Sequence, residues 1–327
     1  MTRPPGPHRI LITGATGFVG RALVSRLGND GRFARAALRA SGGSFAPSVE
    51  EAAVGDIGAA TDWSAAVAGV DAVVHLAARV HVTGDDARTG EGLFRAVNVD
   101  GAAGLARAAR EARVGRFVLA SSTTVYGERS GPTPFGESSP AAPATPYARS
   151  KLDGERAVAA VLSGSNTELV VLRPPLVYGP GAKGNFVRLV HLVERGVPLP
   201  LASVRNRRSL LFVGNLVDAI VRVLDHPAAA GRTYNVTDLR DVSTPELIAA
   251  IAGGLNRRPR LLPSPLPILR IAAAVAGRGD ELSRLVDSMA IDGSRLRTEL
   301  GWEPPFTLEE GLARSLSARR GGEGSSG

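Results

Sequence analysis

The 327-residue sequence predicts an α/β fold, a doubly wound parallel sheet with a smaller C-terminal lobe. Three observations predict it. Short apolar runs alternate with helical stretches from Ile10 to Leu172, the pattern of a parallel sheet covered on both faces. A glycine-rich turn follows the first run directly. After Arg173 the alternation gives way to a proline pair, loops and short helices. Right-handed crossovers between the early strands wind helices onto both faces of the sheet.

The elements follow in order. Residues 10–13 read as the first strand and 21–27 as the helix after the glycine turn. Residues 33–38 make a second strand, 42–47 a loop, and 49–55 an extended run that ends at Asp56. A short helix covers 63–67, and AVVHL at 72–76 is a clear strand. Val97, Leu105 and Ala109 mark a helix over 94–113. Strand 116–120, helix 147–162 and strand 168–172 complete the alternation. Beyond Arg173, helices are expected at 186–196, 216–224, 244–253, 285–300 and 308–317, with short strands at 208–213 and 233–236. Pro245 in the first turn of 244–253 is a helix-start signal. The run 268–275 is interrupted by Arg270 and is too short to span a bilayer. It predicts a packed helix, with attachment to a membrane surface as the alternative.

Composition removes several classes of chemistry. The chain has no cysteine, which excludes disulfides, thiolate zinc sites, iron–sulfur clusters and cysteine nucleophiles. The five histidines never take metal-ligand spacing, so no metal is expected. The net charge is +8, and every basic residue except Lys151 and Lys183 is arginine. The arginines are scattered along the chain, so nucleic acid is not an expected partner, although a positive field favours a phosphorylated ligand. The polar start MTRPPGPHR holds no secretory signal pattern, and a cytoplasmic protein without an integral membrane segment is expected. Residues 318–327, ending GGEGSSG, read as a flexible tail.

The turn I10-L-I-T-G-A-T-G-F-V-G20 carries the first chemistry. Gly14 allows the tight exit from the strand, Gly17 lets the backbone approach a pyrophosphate, and Gly20 permits close helix–strand packing. A helix starting near Phe18 and Val19 aims its free N–H groups at the phosphates, with Thr13 and Thr16 bracing the loop. This is the dinucleotide pattern of a Rossmann sheet. Residues 9–175 are therefore assigned as the dinucleotide-binding domain. Residues 176–317 form mainly a substrate-binding lobe, with 205–236 a candidate to return to the main sheet.

At the end of the second strand an NAD site places an acid on the ribose 2′-hydroxyl. The stretch F33-A-R-A-A-L-R-A-S-G-G43 has none, and offers Arg39 and Ser41 for a 2′-phosphate instead. Of NAD and NADP, this favours NADP. Asp56, followed by Ile57, is a candidate for the adenine amino group or else a loop cap.

Tyr147 and Lys151 are four residues apart on one predicted helix and share a face. An ammonium beside a phenol lowers the phenol's pKa toward working pH. Tyr147 can then exchange a proton with a sugar hydroxyl or carbonyl, while Lys151 can also hold ribose hydroxyls. In a chain that otherwise uses arginine, a lysine here fits a lysine-specific task.

The glycine loop, H75-L-A-A78, Asn98, S121-S-T-T-V-Y-G127, Y147-A-R-S-K151 and R173-P-P-L-V-Y-G-P-G181 occur in order. Together they resemble the extended short-chain dehydrogenase/reductase family over roughly residues 9 to 315. The likeness is to its nucleotide-sugar epimerases, 4-keto reductases and dehydratases. The resemblance implies a Ser122–Tyr147–Lys151 catalytic set, with Thr123 and Thr124 as neighbouring hydroxyls that a one-residue slip would bring to the substrate. It implies that His75 orients, and that Leu76, Ala77 and Ala78 leave room for the dinucleotide. Asn98 would hold a backbone or water near the serine, Tyr126 would pack beside the substrate or nicotinamide, and Pro174 would lie against the nicotinamide.

Arg79, Val80 and His81 would touch sugar or cofactor. Asn185 would bind a phosphate or sugar oxygen, Leu199 would cover the nucleotide base, and Arg208 rather than Arg207 would clamp the diphosphate. Arg284 is a second clamp or a solvent-facing charge. Many relatives carry an acid in the segment that here reads F212-V-G-N215. The family's dehydratases place Asp-Glu after the serine; here Thr123 and Thr124 stand there, which argues against dehydration.

The first reading is thus an NADPH-dependent 4-keto reductase on a UDP-sugar. A78-R-V-H-V82 and the Asn-Arg-Arg-Ser-Leu run look like the UDP-N-acetylquinovosamine dehydrogenase branch. The alternative is a UDP-hexose 4-epimerase, on glucose or N-acetylglucosamine, with retained NAD. A noncatalytic NAD(P)-binding protein is a third. Helices 94–113 and 147–162 offer apolar residues beyond one sheet face, and the family pairs them across a twofold axis, so a homodimer is expected.

Overall fold

The structure is a computed structural model describing residues 9–42, 45–80 and 90–323. The first eight residues, the loop 81–89 with His81, and the last four residues lie outside the described residues. Ten strands are present among them. They are β1 (Arg9–Thr13), β2 (Phe33–Leu38), β3 (Glu50–Ala53), β4 (Ala72–His75), β5 (Arg116–Ala120), β6 (Glu168–Arg173), β7 (Leu176–Tyr178), β8 (Arg208–Phe212), β9 (Thr233–Asn235) and β10 (Asp241–Val242). Seven of them form one parallel sheet in the order β3-β2-β1-β4-β5-β6-β9, and the rest form a small sheet β10-β8-β7. The order reverses between β1 and β4, whose register sets Thr13 against His75. That crevice is where ligands of doubly wound sheets sit.

Strand alternation divides the core. Ile10, Ile12 and Val74 face one side and pack with Leu23 and Leu27 of α1 (Phe18–Asn29). Leu11, Val73 and Phe117 face the other. There they meet α2 (Ser64–Val67), α4 (Ala102–Glu111) and α5 (Pro146–Leu162). A short α3 (Gly90–Arg95) precedes α4. Both faces of β4 are covered, which is why AVVH is a continuous apolar run ending in a buried histidine. The helices of the second lobe are α6 (Asn185–Glu194), α8 (Thr244–Gly254), α9 (Leu266–Val275), α10 (Gly279–Val286) and α12 (Leu308–Glu323). They enclose a separate core around Phe186, Leu210, Phe212 and Leu247.

The division at residue 175 is interleaved. β9 returns to pair with β6, while α7 (Val213–Asp225) and α11 (Ser294–Leu300) carry Leu216, Ile220, Leu296 and Leu300 into the first core. The segment 205–236 therefore divides between the sheets, with β8 in the small one and β9 in the large one.

Several expectations are corrected. The helix expected over 94–113 begins at Gly90 and is broken by a π-helical turn at Ala96–Gly101. The stretch expected as a helix over 285–300 is two helices. Between them Met289 and Ile291, two residues apart, bridge to Arg208 and Phe135, so extended pairing wins over helical period. Helix α12 runs to Glu323, beyond the expected end at Ser317.

The run 268–275 forms a helix as expected, but α9 has no buried residue. Leu266 and Leu269 pack against the lobe, while Ile268, Ile271 and Val275 are 59%, 66% and 86% exposed. The apolar surplus on α4 and α5 that suggested a homodimer is absorbed inside the chain by Trp63, Val73 and Phe117, and neither helix exposes a large apolar side chain. No described helix is long and apolar enough to cross a membrane.

Helix α1 sits unusually close to the turn that precedes it. A Cβ on Gly20 would lie 2.1 Å from the carbonyl oxygen of Gly14, whereas one on Gly28 of the same helix meets nothing within 4 Å. Gly20→Ala is expected to cost about 1–3 kcal/mol through forced backbone shifts. Gly28→Ala is expected to be neutral or to gain up to about 1 kcal/mol. Urea unfolding of the two variants checks the contrast.

Candidate active site

The turn between β1 and α1 is shaped by three different demands on its glycines. Gly14 has φ +68, and a Cβ there would press on the Ala77 backbone at 2.8 Å. A Cβ on Gly17 would meet only the Gly14 carbonyl, at 3.1 Å, so its other side is open to the crevice. Gly17 is also the N-cap of α1 and has no side chain to occupy the helix's free N–H groups. A backbone that can be approached closely, at a 12-residue helix N-terminus without a cap, fits a pyrophosphate. Thr13 braces the turn as expected, because its Oγ1 accepts from Ala77 N at 3.1 Å and lies 2.7 Å from His75 Nδ1. Thr16 does not: its side chain is exposed, and only its carbonyl is used, by Arg21 Nε. Phe18 and Val19 are half-buried, and Phe18 faces Gly179 and Gly181 of the loop after β7.

Ser122, Tyr147 and Lys151 come together at the ends of β5 and α5. Ser122 Oγ accepts from Thr124 N at 3.2 Å and Thr124 Oγ1 at 2.9 Å, and shares a hydrogen bond with Tyr147. Thr123 is 2% exposed and donates its N–H to the Pro174 carbonyl; Thr124 is half-buried beside the serine.

Lys151 Nζ is buried and donates to the Ala120 carbonyl at 2.6 Å. Burial lowers its pKa to about 8, against a smaller upward pull from Glu155. The expected lowering of the Tyr147 pKa is not what the site shows. Burial raises it, and the hydrogen bond with Ser122 opposes the rise. His75 is held neutral, its pKa lowered to about 3 by burial and by the charge of Lys151, which fits an orienting role.

Asn98 proves to be a clamp made of protein contacts. Its Nδ2 donates to Ser150 Oγ at 2.9 Å and to the Arg79 carbonyl at 3.0 Å, and its Oδ1 accepts from Arg79 N at 2.8 Å. The π-helical turn aims it inward, and Gly154 lets α5 approach, since a Cβ there would lie 2.3 Å from the Asn98 carbonyl. Its side chain is thus committed to the loop after β4 and to the catalytic helix, not to a dinucleotide. Leu76, Ala77 and Ala78 are half-buried along that loop, and the buried Nε of Arg79 has no hydrogen-bond partner. Tyr126 is not beside a substrate. It is 2% exposed, accepts from Arg173 Nη1, donates to Asn235 Oδ1 and stacks on Phe135.

At the adenosine end, Arg39 is the first residue after β2, as expected, but its Nε pairs with Asp56 Oδ1 at 2.8 Å. The two side chains are 85% and 86% exposed. A 2′-phosphate on Arg39 would face that carboxylate. Ile57 packs towards Gly101 instead.

In the second lobe a cavity of about 870 Å³ gathers Lys183, Asn185, Arg208 and Arg284, with apolar walls from Leu176 and Leu189. Arg208 Nη1 donates to the Asp287 carbonyl, and burial lowers its pKa. Arg207 pairs with Asp241, and it is Arg208 that lines the cavity. Leu199 is buried in the lobe's core and does not line this cavity. Neither do Ser122, Tyr147 or Lys151. Among the described residues no group of three His, Asp or Glu is placed to hold a metal ion.

The pattern of the NAD dependent epimerase/dehydratase family matches residues 10–237, which include every residue of the glycine turn and of the Ser122–Tyr147–Lys151 set. The chain belongs to that family. It is an NAD(P)-dependent enzyme of the epimerase and oxidoreductase type. It is similar to the UDP-glucose 4-epimerase of Vibrio cholerae, 38% identical over 315 residues that cover 95% of each chain. Among solved structures it is similar to MoeE5 in complex with UDP-glucuronic acid and NAD, with 25% identity, 96% and 99% coverage and TM-score 0.76. It is also similar to DesIV, a dTDP-glucose 4,6-dehydratase from Streptomyces venezuelae with NAD and TYD bound, with 25% identity, 97% and 98% coverage and TM-score 0.75. No feature of the family member described here favours NADP over NAD.

Two groups that hold the site together escaped the sequence. Asp238 accepts from Phe212 N at 3.0 Å, Asn215 Nδ2 at 2.7 Å and the Tyr178 hydroxyl at 3.2 Å. It supplies from the loop after β9 the carboxylate that was missed in F212-V-G-N215. Glu155 and Arg173 form a buried pair at 2.9 and 2.5 Å that ties α5 to β6. No local pattern marks them, because α5 also carries Arg149, Lys151, Asp153 and Arg156, and β6 begins at Glu168.

Lys151 and Lys183 are the two lysines of the chain, so the titration of Lys151 is directly observable. In dinucleotide-free protein carrying ¹³C at lysine Cε, the Lys151 resonance is expected to titrate near pH 8, below the roughly 10.4 of a free lysine, with Lys183→Arg giving the assignment. The amine is charged below that pH and neutral above it.

Proposed function

We propose that the chain is a UDP-hexose 4-epimerase working with retained NAD. The observation that carries this reading is the 38% identity to a UDP-glucose 4-epimerase along nearly the full length of both chains. Arg39, 85% exposed and shared with Asp56, is the one cation that argued for an NADPH-dependent 4-keto reductase, and nothing among the described residues holds it as a dedicated 2′-phosphate site. Thr123 and Thr124 after the catalytic serine, in place of carboxylates, speak against dehydration.

Bound NAD supplies a hydride acceptor at the sugar C4 and returns the hydride in the second half of the cycle. Tyr147 Oη, as the phenolate, would take the proton of the C4 hydroxyl as that carbon is oxidised. It gives the proton back to the keto oxygen once the sugar has turned its other face. Ser122 Oγ, oriented by Thr124, donates to the reacting oxygen. Lys151 holds the ribose hydroxyls, and its charge adds to the burial that keeps His75 neutral. Gly14, Gly17 and Gly20 present the N-terminus of α1 to the pyrophosphate. Asn185, Arg208 and Arg284 hold the diphosphate of the sugar nucleotide, for which the planar guanidinium is suited.

Purified protein given UDP-glucose and no added cofactor is expected to form the C4 epimer, and heat denaturation is expected to release NAD. A protein that turns over only with NADPH and a 4-keto sugar, consuming one NADPH per product, would be the reductase instead. In the same assay Tyr147→Phe is expected to lower kcat by about 10²–10⁴-fold while keeping bound NAD and the wild-type melting temperature.

A further inference from the structure

We propose that α9 is a membrane-surface contact that seats the second lobe on an anionic lipid bilayer. The helix carries two apolar stripes. Leu266, Leu269 and Ala273 follow one another at helical spacing, and the two leucines pack into the lobe. Ile268, Ile271 and Val275 follow at the same spacing on a second stripe, which nothing among the described residues covers. Leu262, on the segment leading into the helix, is also 52% exposed. A helix with its inner stripe anchored on protein and its outer stripe apolar has the form of an interfacial anchor, and its ten residues are too few to span a bilayer.

Charge selects the occupant. Residues 256–287 hold six arginines against three carboxylates, Asp280, Glu281 and Asp287. Arg257 and Arg258 precede α9, Arg270 lies on it and Arg278 follows it. Arg278 and Arg188 both reach Glu281, at 4.0 and 3.7 Å, and Arg270 pairs with Asp287 at 2.9 Å. Arg257 and Arg258 are exposed. An excess of arginine over carboxylate along the segment that carries an exposed apolar stripe complements anionic headgroups over acyl chains. A second copy of the chain would bring the same positive excess against itself. Three side chains on one short helix also fall well short of the roughly 800 Å² per partner that a stable protein interface buries.

The seat is next to the substrate cavity. Helix α10 packs on α9 and contributes Arg278, Glu281 and Arg284 to the cavity wall. Docking through α9 would therefore set that cavity beside the lipid surface. The proposal goes beyond the reaction and does not depend on which sugar is turned over.

Flotation with vesicles tests it on the full chain. Wild type is expected to float with vesicles of equal parts phosphatidylcholine and phosphatidylglycerol, and to bind pure phosphatidylcholine at least about tenfold more weakly. Binding is expected to weaken as salt is raised. The triple variant Ile268→Gln, Ile271→Gln, Val275→Gln should lose binding by at least about tenfold while keeping its turnover and melting temperature. Ile271→Trp keeps the stripe apolar. Its emission should shift to the blue on mixed vesicles, since Trp63 and Trp302 are buried and contribute a constant background. The proposal is overturned if wild type stays in the aqueous phase, if the triple variant floats as well as wild type, if the Ile271→Trp emission does not move, or if the triple variant halves the molar mass by light scattering. The last outcome would make the stripe a contact between copies.

Discussion

The approach of α1 to the end of β1 is the constraint on which the rest of the site depends. With Gly20 directly over the Gly14 carbonyl, the helix is held so close to the sheet that its N-terminus opens at the crevice between β1 and β4. The same turn pins Ala77 against Gly14 and, through Thr13, fixes both Ala77 and His75. The loop leaving β4 then runs to Asn98, which passes the constraint to Ser150 on the catalytic helix. One close contact between backbones thus reaches the helix of Tyr147 and Lys151 through a short series of hydrogen bonds.

The site divides into a dry part and a wet part, and the same residue types behave differently in each. Lys151, His75 and Tyr147 are surrounded by protein, and their protonation is governed by the cost of burying charge. Arg39 and Asp56 stand in water, where an ion pair is worth about 0–1 kcal/mol and can be exchanged for another partner easily. The chemistry is placed where charge is expensive, and the end that receives adenosine is placed where it is cheap.

Most of the sheet was legible in the sequence because its strands are buried on both faces. Runs such as ILIT and AVVHL admit few other readings, and the glycine spacing announces the first turn. The catalytic set was legible from the order of its motifs, and the structure brings Ser122, Tyr147 and Lys151 together. What could not be read are contacts between residues far apart in sequence. Asp238 meets Phe212 and Asn215 only because the loop after β9 runs against β8, where Asp238 N donates to the Leu210 carbonyl, and no local pattern marks it. The π-helical turn at Asn98 has the apolar period of an ordinary helix. Helix α9 was misjudged because apolar content indicates burial only when there is enough protein to cover both stripes.

The return of β9 to the edge of the large sheet has a consequence for synthesis. A chain emerging from the ribosome completes β1 to β6 long before Asn235, yet β6 has no partner on its outer edge until β9 arrives. Between those moments the nascent chain carries an open strand edge, the kind of surface that invites pairing with other chains. Of the second lobe, β7, α6 and β8 lie between β6 and β9, and α8, α9, α10 and α12 follow them, so the halves cannot mature one after the other as independent beads.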